Sequence, residues 1–122
     1  MLMRTKKLTA IGGAVDLIYQ DVTEIVEYEF YVCDVLKSIT LPKVTTVGDR
    51  GFWACYYLET LTFGSVVTAI NDNSGEVFYD LGYQIGGCHL VLNNDQGNVE
   101  GFAPDLANNT WAGYKWKSIT LK

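Results

Sequence analysis

One stretch of the chain overlays the next at a fixed interval of 22 residues. Placing Val22 to Leu41 on Val44 to Phe63 pairs Ile25 with Val47, Phe30 with Phe52, Tyr31 with Trp53, Cys33 with Cys55, Leu36 with Leu58, Ile39 with Leu61 and Thr40 with Thr62, without a gap. One step back, Ala14, Leu17 and Tyr19 fall under Leu36, Ile39 and Leu41, so the repeat phase begins near residue 14. One step forward needs a single inserted residue, after which Val67, Thr68 and Ile70 fall under Val44, Thr45 and Val47, with Phe78 following after a longer loop. Near the end, Lys117-Ser118-Ile119-Thr120-Leu121 repeats Lys37-Ser38-Ile39-Thr40-Leu41 letter for letter, with Trp116 in the place of Leu36. A unit this short cannot bury its apolar face alone, so such a chain must stack its units on one another.

The residue types inside a unit say what it is made of. Ile39 in, Thr40 out and Leu41 in alternate as a strand with one buried face, and Pro42 ends it because proline has no ladder donor. Val44, Thr45 and Val47 form a second, shorter extended piece closed by Gly48. Phe52 and Cys55, three apart, suit one face of a helical turn, and Leu58 restarts the strand. The expected architecture is an α/β solenoid, mostly β, of coils that each carry a strand, a short strand and a helical turn. Residues 1–122 are then one domain, with 1–13 as lead-in, 14–92 as repeats and 93–122 as a loop and a C-terminal capping coil. Trp111, Tyr114 and Trp116 are the expected lid. The Asn/Asp/Gly/Ser-rich stretches 71–75, 93–98 and 108–109 read as turns inserted on the stack.

Composition narrows the function. An apolar fraction of 48% with 13% aromatics is ample for an independent core, and a formal charge of −5 lacks the phosphate-neutralising surface that non-specific nucleic-acid binding needs. Three cysteines with no C-x-x-C pair build neither a disulfide framework nor a zinc site. Cys33 and Cys55 sit at a repeat position and read as small buried hydrophobes. Cys88 lies two residues before Leu90, whereas Cys55 lies six before Leu61, so the pattern does not place it. His89 is the single histidine and reads as a structural or surface residue. There is no nucleophile elbow, phosphate loop or H-E-x-x-H, so no catalytic residue, metal or cofactor is expected. Asn71 to Glu76 clusters oxygen side chains around Gly75 but lacks the alternating ligand spacing and distal glutamate of a calcium loop. Asn108-Asn109-Thr110 matches a glycosylation sequon and reads as turn chemistry. No apolar run reaches the ~18 residues that span a bilayer. Arg4, Lys6 and Lys7 before Leu8 to Val15 outline a signal peptide, but the run is short and Asp16 interrupts it, so no cleaved signal is expected.

The pattern L-x-x-I-x-L-P-x-V-T-x-V-G followed by F-x-x-C-x-x-L resembles the BspA-type leucine-rich repeat, and the ending Trp111 to Ile119 is similar to the closing segment of many such proteins. The resemblance runs over most of residues 14–122, loosely between 71 and 110. It departs from the commoner leucine-rich consensus at Val44, where Asn or Cys would stand, and at Gly51, where Ala is usual before Phe52. The resemblance implies a bacterial surface or secreted protein that adheres to protein or glycan ligands of a host or matrix, without catalysis; the alternative is a purely structural, capped remnant of a longer repeat array with no ligand of its own.

Two surfaces stand out. In register, Ser38 and Thr40 stack on Thr60 and Thr62, with Ser118 and Thr120 further along, giving a hydroxyl-bearing strip on one sheet face. That strip reads either as a shallow binding surface for protein or glycan, or as the ordinary fit of β-branched side chains to a pleated surface. Trp53, Tyr56 and Tyr57 near a coil corner are expected to be buried between coils.

Overall fold

A computed structural model describes residues 15–122. The readings that fall on Arg4, Lys6, Lys7 and Ala14 lie outside the described residues.

The alternating segments form the strands they predict. Strands β1 (Val15–Ile18), β3 (Leu36–Leu41), β5 (Thr60–Phe63), β7 (His89–Leu92) and β10 (Ser118–Leu121) make one five-stranded parallel sheet in the order β1-β3-β5-β7-β10. The short extended pieces β2 (Glu24–Ile25), β4 (Thr46–Val47) and β6 (Ala69–Ile70) make a second parallel sheet in the same succession. A two-stranded antiparallel ribbon, β8 (Thr110–Trp111) with β9 (Tyr114–Lys115), precedes β10.

Register follows the sequence overlay where the period holds and departs where it fails. Ser38 lies opposite Thr60, Ile39 opposite Leu61 and Leu41 opposite Phe63, all 22 residues apart. Val47 meets Ile70 across the one-residue insertion. Beyond that the interval lengthens: Thr60 pairs with His89, and His89 with Ser118, each 29 residues on. Between β5 and β7 the extra residues are taken up by turns around Asp72 to Gly75 and by a 3-10 helix at Tyr83–Ile85, and between β7 and β10 by a 3-10 helix at Asn94–Asn98 and the β8–β9 ribbon.

The core is a set of ladders. Ile39, Leu61 and Leu90 are fully buried in one row of the large sheet, and Leu41, Phe63 and Leu92 in the next. Phe30, Phe52 and Phe78 stack face to face with centroids 5.5 and 5.9 Å apart and planes tilted by 8° and 13°. Such ring pairs contribute ~0.5–1.5 kcal/mol each beyond burial. Trp111, Tyr114 and Trp116 all lie against Phe78, at 5.9, 5.4 and 5.2 Å, and cover that end of the phenylalanine ladder.

The third side of the repeat is not helical, which corrects the expected helical turn. Phe52 and Cys55 do share the buried face, but they do so through a series of tight turns. Tyr28, Val32, Arg50, Ala54 and Asp80 are left-handed, with φ of 61°, 48°, 52°, 60° and 55°. Reversing the chain at these points aims alternate backbone donors along the stack. The amides of Tyr28, Phe30 and Val32 donate to the carbonyls of Asp49, Gly51 and Trp53, and those of Phe52 and Ala54 to Val77 and Tyr79. An α-helix would spend the same donors within its own turn, whereas here they tie one repeat to the next. Gly48 and Gly51 sit where repeats touch: a Cβ on Gly48 would lie 2.7 Å from the Glu27 nitrogen, and one on Gly51 would lie 2.9 Å from Ile25 Cγ2. That contact accounts for glycine where the pattern has alanine before Phe52.

Candidate binding surface

The large sheet places all six hydroxyl residues on its outward face. One row across the strands reads Asp16, Ser38, Thr60, His89 and Ser118, and the next reads Ile18, Thr40, Thr62, Val91 and Thr120. The sequence overlay missed His89 and Val91, which separate Thr60 and Thr62 from Ser118 and Thr120. Leu90-Val91-Leu92 reads as a strand from the sequence alone, and the structure forms it, but it lies out of the 22-residue phase that would have put His89 and Val91 in line with Thr60 and Thr62.

Polar partners divide the strip. Ser38 Oγ donates to Asp16 Oδ1 at 2.7 Å, and His89 Nδ1 lies 2.6 Å from Ser118 Oγ, so those two hydroxyls are engaged. Thr40, Thr60, Thr62 and Thr120 have no side-chain hydrogen bond among the described residues. Lys37 and Glu59, 3.7 Å apart and each half exposed, border the first row. Four uncommitted hydroxyls on a flat, partly polar face can donate to and accept from a ligand lying across the strands.

Of the three aromatics expected to be buried between coils, Trp53 and Tyr56 are half-buried and Tyr57 is exposed, so the corner is a partly exposed row. Tyr31, Trp53 and Tyr79 stack with centroids 4.9 and 5.7 Å apart and planes tilted by 10° and 15°. Tyr31, Tyr57 and Tyr79 are about 40% exposed or more, and Tyr83 is 66% exposed. Side chains from two neighbouring turns fix the row in place. Trp53 Nε1 donates to Glu76 Oε2 at 2.6 Å, Arg50 Nε to the same oxygen at 3.3 Å, and Arg50 also donates to the Tyr28 hydroxyl at 2.7 Å. The row stays at the surface because the inward-facing position beside it is already filled by the Phe30–Phe52–Phe78 stack.

The thiols are placed for packing. Burial pushes Cys55 up to about 12, and its Sγ donates to the Phe30 carbonyl at 2.9 Å. Burial likewise pushes Cys88 up to about 12. Neither is a thiolate at neutral pH, which a nucleophile or metal ligand must be. Cys88 takes the register position of Lys37 and Glu59, one residue before β7, yet is buried there. In the loop at 71–76 the oxygens hold the turn: Ser74 Oγ donates to Asp49 Oδ1 at 2.6 Å, and Asp72 accepts from Tyr114 at 3.3 Å.

Parallel strands that recur in a leucine- and isoleucine-lined register, each returning through a short second strand and a run of turns, define a leucine-rich-repeat protein. The family model described as BspA type leucine rich repeat region, in six copies, matches residues 15–81, more than half of the chain, and the chain belongs to that family. Neither the search of curated proteins nor that of solved structures gave a match. No helix among the described residues is long and apolar enough to cross a membrane.

Proposed function

We propose that the repeats close into a short solenoid that works as a non-catalytic binding module at the cell surface, and that the outward face of the five-stranded sheet takes a protein or glycan ligand of a host or matrix. The carrying observation is the set of four hydroxyls, on Thr40, Thr60, Thr62 and Thr120, that hold a common face and have no side-chain hydrogen bond among the described residues. Ser38 and Ser118 flank them and are held in orientation by Asp16 and His89. Residues 93–122 serve in this reading as the capping end of one domain.

The test is a glycan array in parallel with capture from mucin and matrix proteins, run on the wild type and on the double variant Thr40→Lys/Thr62→Lys. The two threonines lie opposite each other, so two lysines there crowd and charge the middle of the strip. A ligand bound by the wild type is expected to lose at least tenfold in affinity with the variant. Equal binding by both, or no ligand on either arm, refutes the strip as a binding surface and leaves its threonines as residues that fit a pleated sheet.

A further inference from the structure

On the turn side of the stack each repeat gives amides to the carbonyls of the next. One row runs from Phe30 to Gly51 and from Phe52 to Val77, and the other from Val32 to Trp53 and from Ala54 to Tyr79. Phe78 and Asp80 are the third donors of these two rows. Among the described residues no further turn layer of this kind follows them, because the chain leaves through the 3-10 helix Tyr83–Ile85 and β7 and returns as the β8–β9 ribbon. The ribbon replaces one of the two missing carbonyls: the Phe78 amide approaches the hydroxyl oxygen of Tyr114. It leaves the other unreplaced. Val32, Ala54 and Asp80 share a left-handed backbone, with φ of 48°, 60° and 55°, so the Asp80 amide runs along the stack as the other two do. That amide has no hydrogen-bond partner among the described residues.

Between the last turn layer and the ribbon lies a cavity of about 390 Å³, to which the turn contributes Asp80 and the ribbon Lys115. Small-molecule pockets are typically ~300–1,000 Å³. Phe78, Leu81 and Trp116 give it an apolar, buried wall. Gly86 also borders it, and a Cβ there would meet nothing within 4 Å, so that part of the rim is open.

The unmet polar groups are donors. Lys115 is exposed and makes no ion pair among the described residues. The Asp80 carboxylate is engaged by the Tyr79 phenol, whose pKa its charge pushes up. What remains at the cavity is a backbone N–H and an ammonium beside an apolar wall, and both donors call for an acceptor.

We propose that this cavity binds an apolar carboxylate, with its ring or branched chain against Phe78, Leu81 and Trp116 and its carboxylate accepting from the Asp80 amide and from Lys115. The carboxylate then stands where the carbonyls of Trp53 and Tyr79 stand in the two preceding layers. An anion suits the site better than a neutral carbonyl, because charge-assisted hydrogen bonds are about twice as strong as neutral ones. The cavity is on the turn side and the hydroxyl strip is on the large sheet, so neither site depends on the other.

Nitrogen–proton correlation spectra of the full chain, titrated with phenylpropanoate into the millimolar range, read the Asp80 amide directly. Its proton is expected to move downfield saturably and to exchange more slowly with solvent, since it gains an acceptor. Phenylpropanol keeps the ring and acetate keeps the carboxylate, and each is expected to bind roughly tenfold more weakly or not at all. Lys115→Glu reverses an exposed charge and is expected to weaken phenylpropanoate roughly tenfold. Asp80→Asn keeps the amide, suits a left-handed backbone and removes a negative charge, so it should bind phenylpropanoate at least as tightly as the wild type. A tripeptide ending in phenylalanine, with its carboxylate free or amidated, separates two sources of the same chemistry. Tighter binding than phenylpropanoate, lost on amidation, makes the ligand a chain terminus, and weaker binding makes it a free acid. An Asp80 amide that neither carboxylate moves overturns the proposal. So does phenylpropanol binding as tightly as phenylpropanoate, unchanged binding by Lys115→Glu, or weaker binding by an Asp80→Asn variant whose spectrum is otherwise native.

Discussion

Gln96 is fully buried in the 3-10 helix Asn94–Asn98, where its side-chain amide does the work of a missing strand. Its Oε1 accepts from the Val67 amide at 2.8 Å, and its Nε2 donates to the carbonyls of Val67 at 2.9 Å and Phe102 at 3.1 Å. In the earlier repeats this side of the stack is satisfied by backbone, as where the Thr68 amide donates to the Thr45 carbonyl at 2.8 Å. Gln96→Leu keeps the volume roughly and removes all three bonds. Phe102 keeps a partner in Trp111 Nε1 at 2.7 Å, so the stranded groups are the N–H and C=O of Val67. A buried backbone group left without a partner costs ~1–3 kcal/mol, which gives about 2–6 kcal/mol for the pair. That is a large share of the ~5–15 kcal/mol that holds a domain together. Urea titration followed by far-UV circular dichroism, and separately by the fluorescence of the buried Trp111 and Trp116, reads the loss and shows whether the two transitions coincide. Gln96→Glu adds a sign. Its carboxylate would face two carbonyl oxygens in a buried site, which raises its folded pKa above the unfolded value of ~4.3. The variant is therefore expected to approach wild-type stability below that pH, where the protonated group can donate, and to lose stability as pH rises through the folded pKa. A Gln96→Leu variant within ~0.5 kcal/mol of the wild type, the range of an ordinary surface change, would refute the assignment of this amide as the cap of Val67.

Phe52→Ala removes the middle ring of the Phe30–Phe52–Phe78 stack and is expected to cost ~3–5 kcal/mol in the same urea titration, more than Phe30→Ala, which removes one stacked neighbour instead of two. Gly48→Ala forces a methyl to within 2.9 Å of Ile25 and Val26 backbone atoms and should lower the melting temperature, although alanine disfavours extended backbone little by itself. Cys55 and Cys88 should resist a thiol reagent at pH 8 in the native state and react on denaturation, measured by the absorbance of the released chromophore. Both folded pKa values are raised from 9.0 to about 12, so their contribution to stability is complete below pH 9 and is lost as pH rises from there towards 12. A chain whose midpoint urea concentration is flat across that alkaline window contradicts their burial.

The sequence carried the strand register wherever consecutive repeats kept their length. Ile39 over Leu61 and Thr40 over Thr62 follow from two identical intervals, because a parallel ladder transmits a constant offset from strand to strand. The Phe30 to Phe52 stack was legible for the same reason. Three features were not. The spacing of Phe52 and Cys55 fits a helical turn and a pair of tight turns equally well, since both return the chain to the same face after three residues. What separates them is the left-handed backbone at Arg50 and Ala54, and neither residue type announces a positive φ. His89 and Val91 were invisible as strip members because the turns at 71–87 destroyed the phase that identified Thr60 and Thr62. Gln96 stood in a stretch of Asn, Asp and Gly that composition marks as a loop, and one buried amide among solvated neighbours leaves no periodic trace.

The two exposed surfaces differ in what they can offer. A sugar ring that seeks an aromatic platform needs an open ring face, because its C–H groups pack against the π-cloud. Both faces of Trp53 are covered, one by Tyr31 and the other by Tyr79, and its N–H is already given to Glu76. The row therefore presents ring edges and phenol hydroxyls to solvent, which suit hydrogen bonding and edge contact over stacking. The strand face offers the reverse: small side chains with uncommitted donors and acceptors at the ~4.8 Å spacing of parallel strands. Thr40 and Thr62 hold that spacing from one repeat to the next only because the turn backbone on the opposite side is tied repeat to repeat by its own hydrogen bonds. The aromatic row and the phenylalanine stack keep those turns in line, so the regularity of the hydroxyl strip is set by packing on the far side of the molecule.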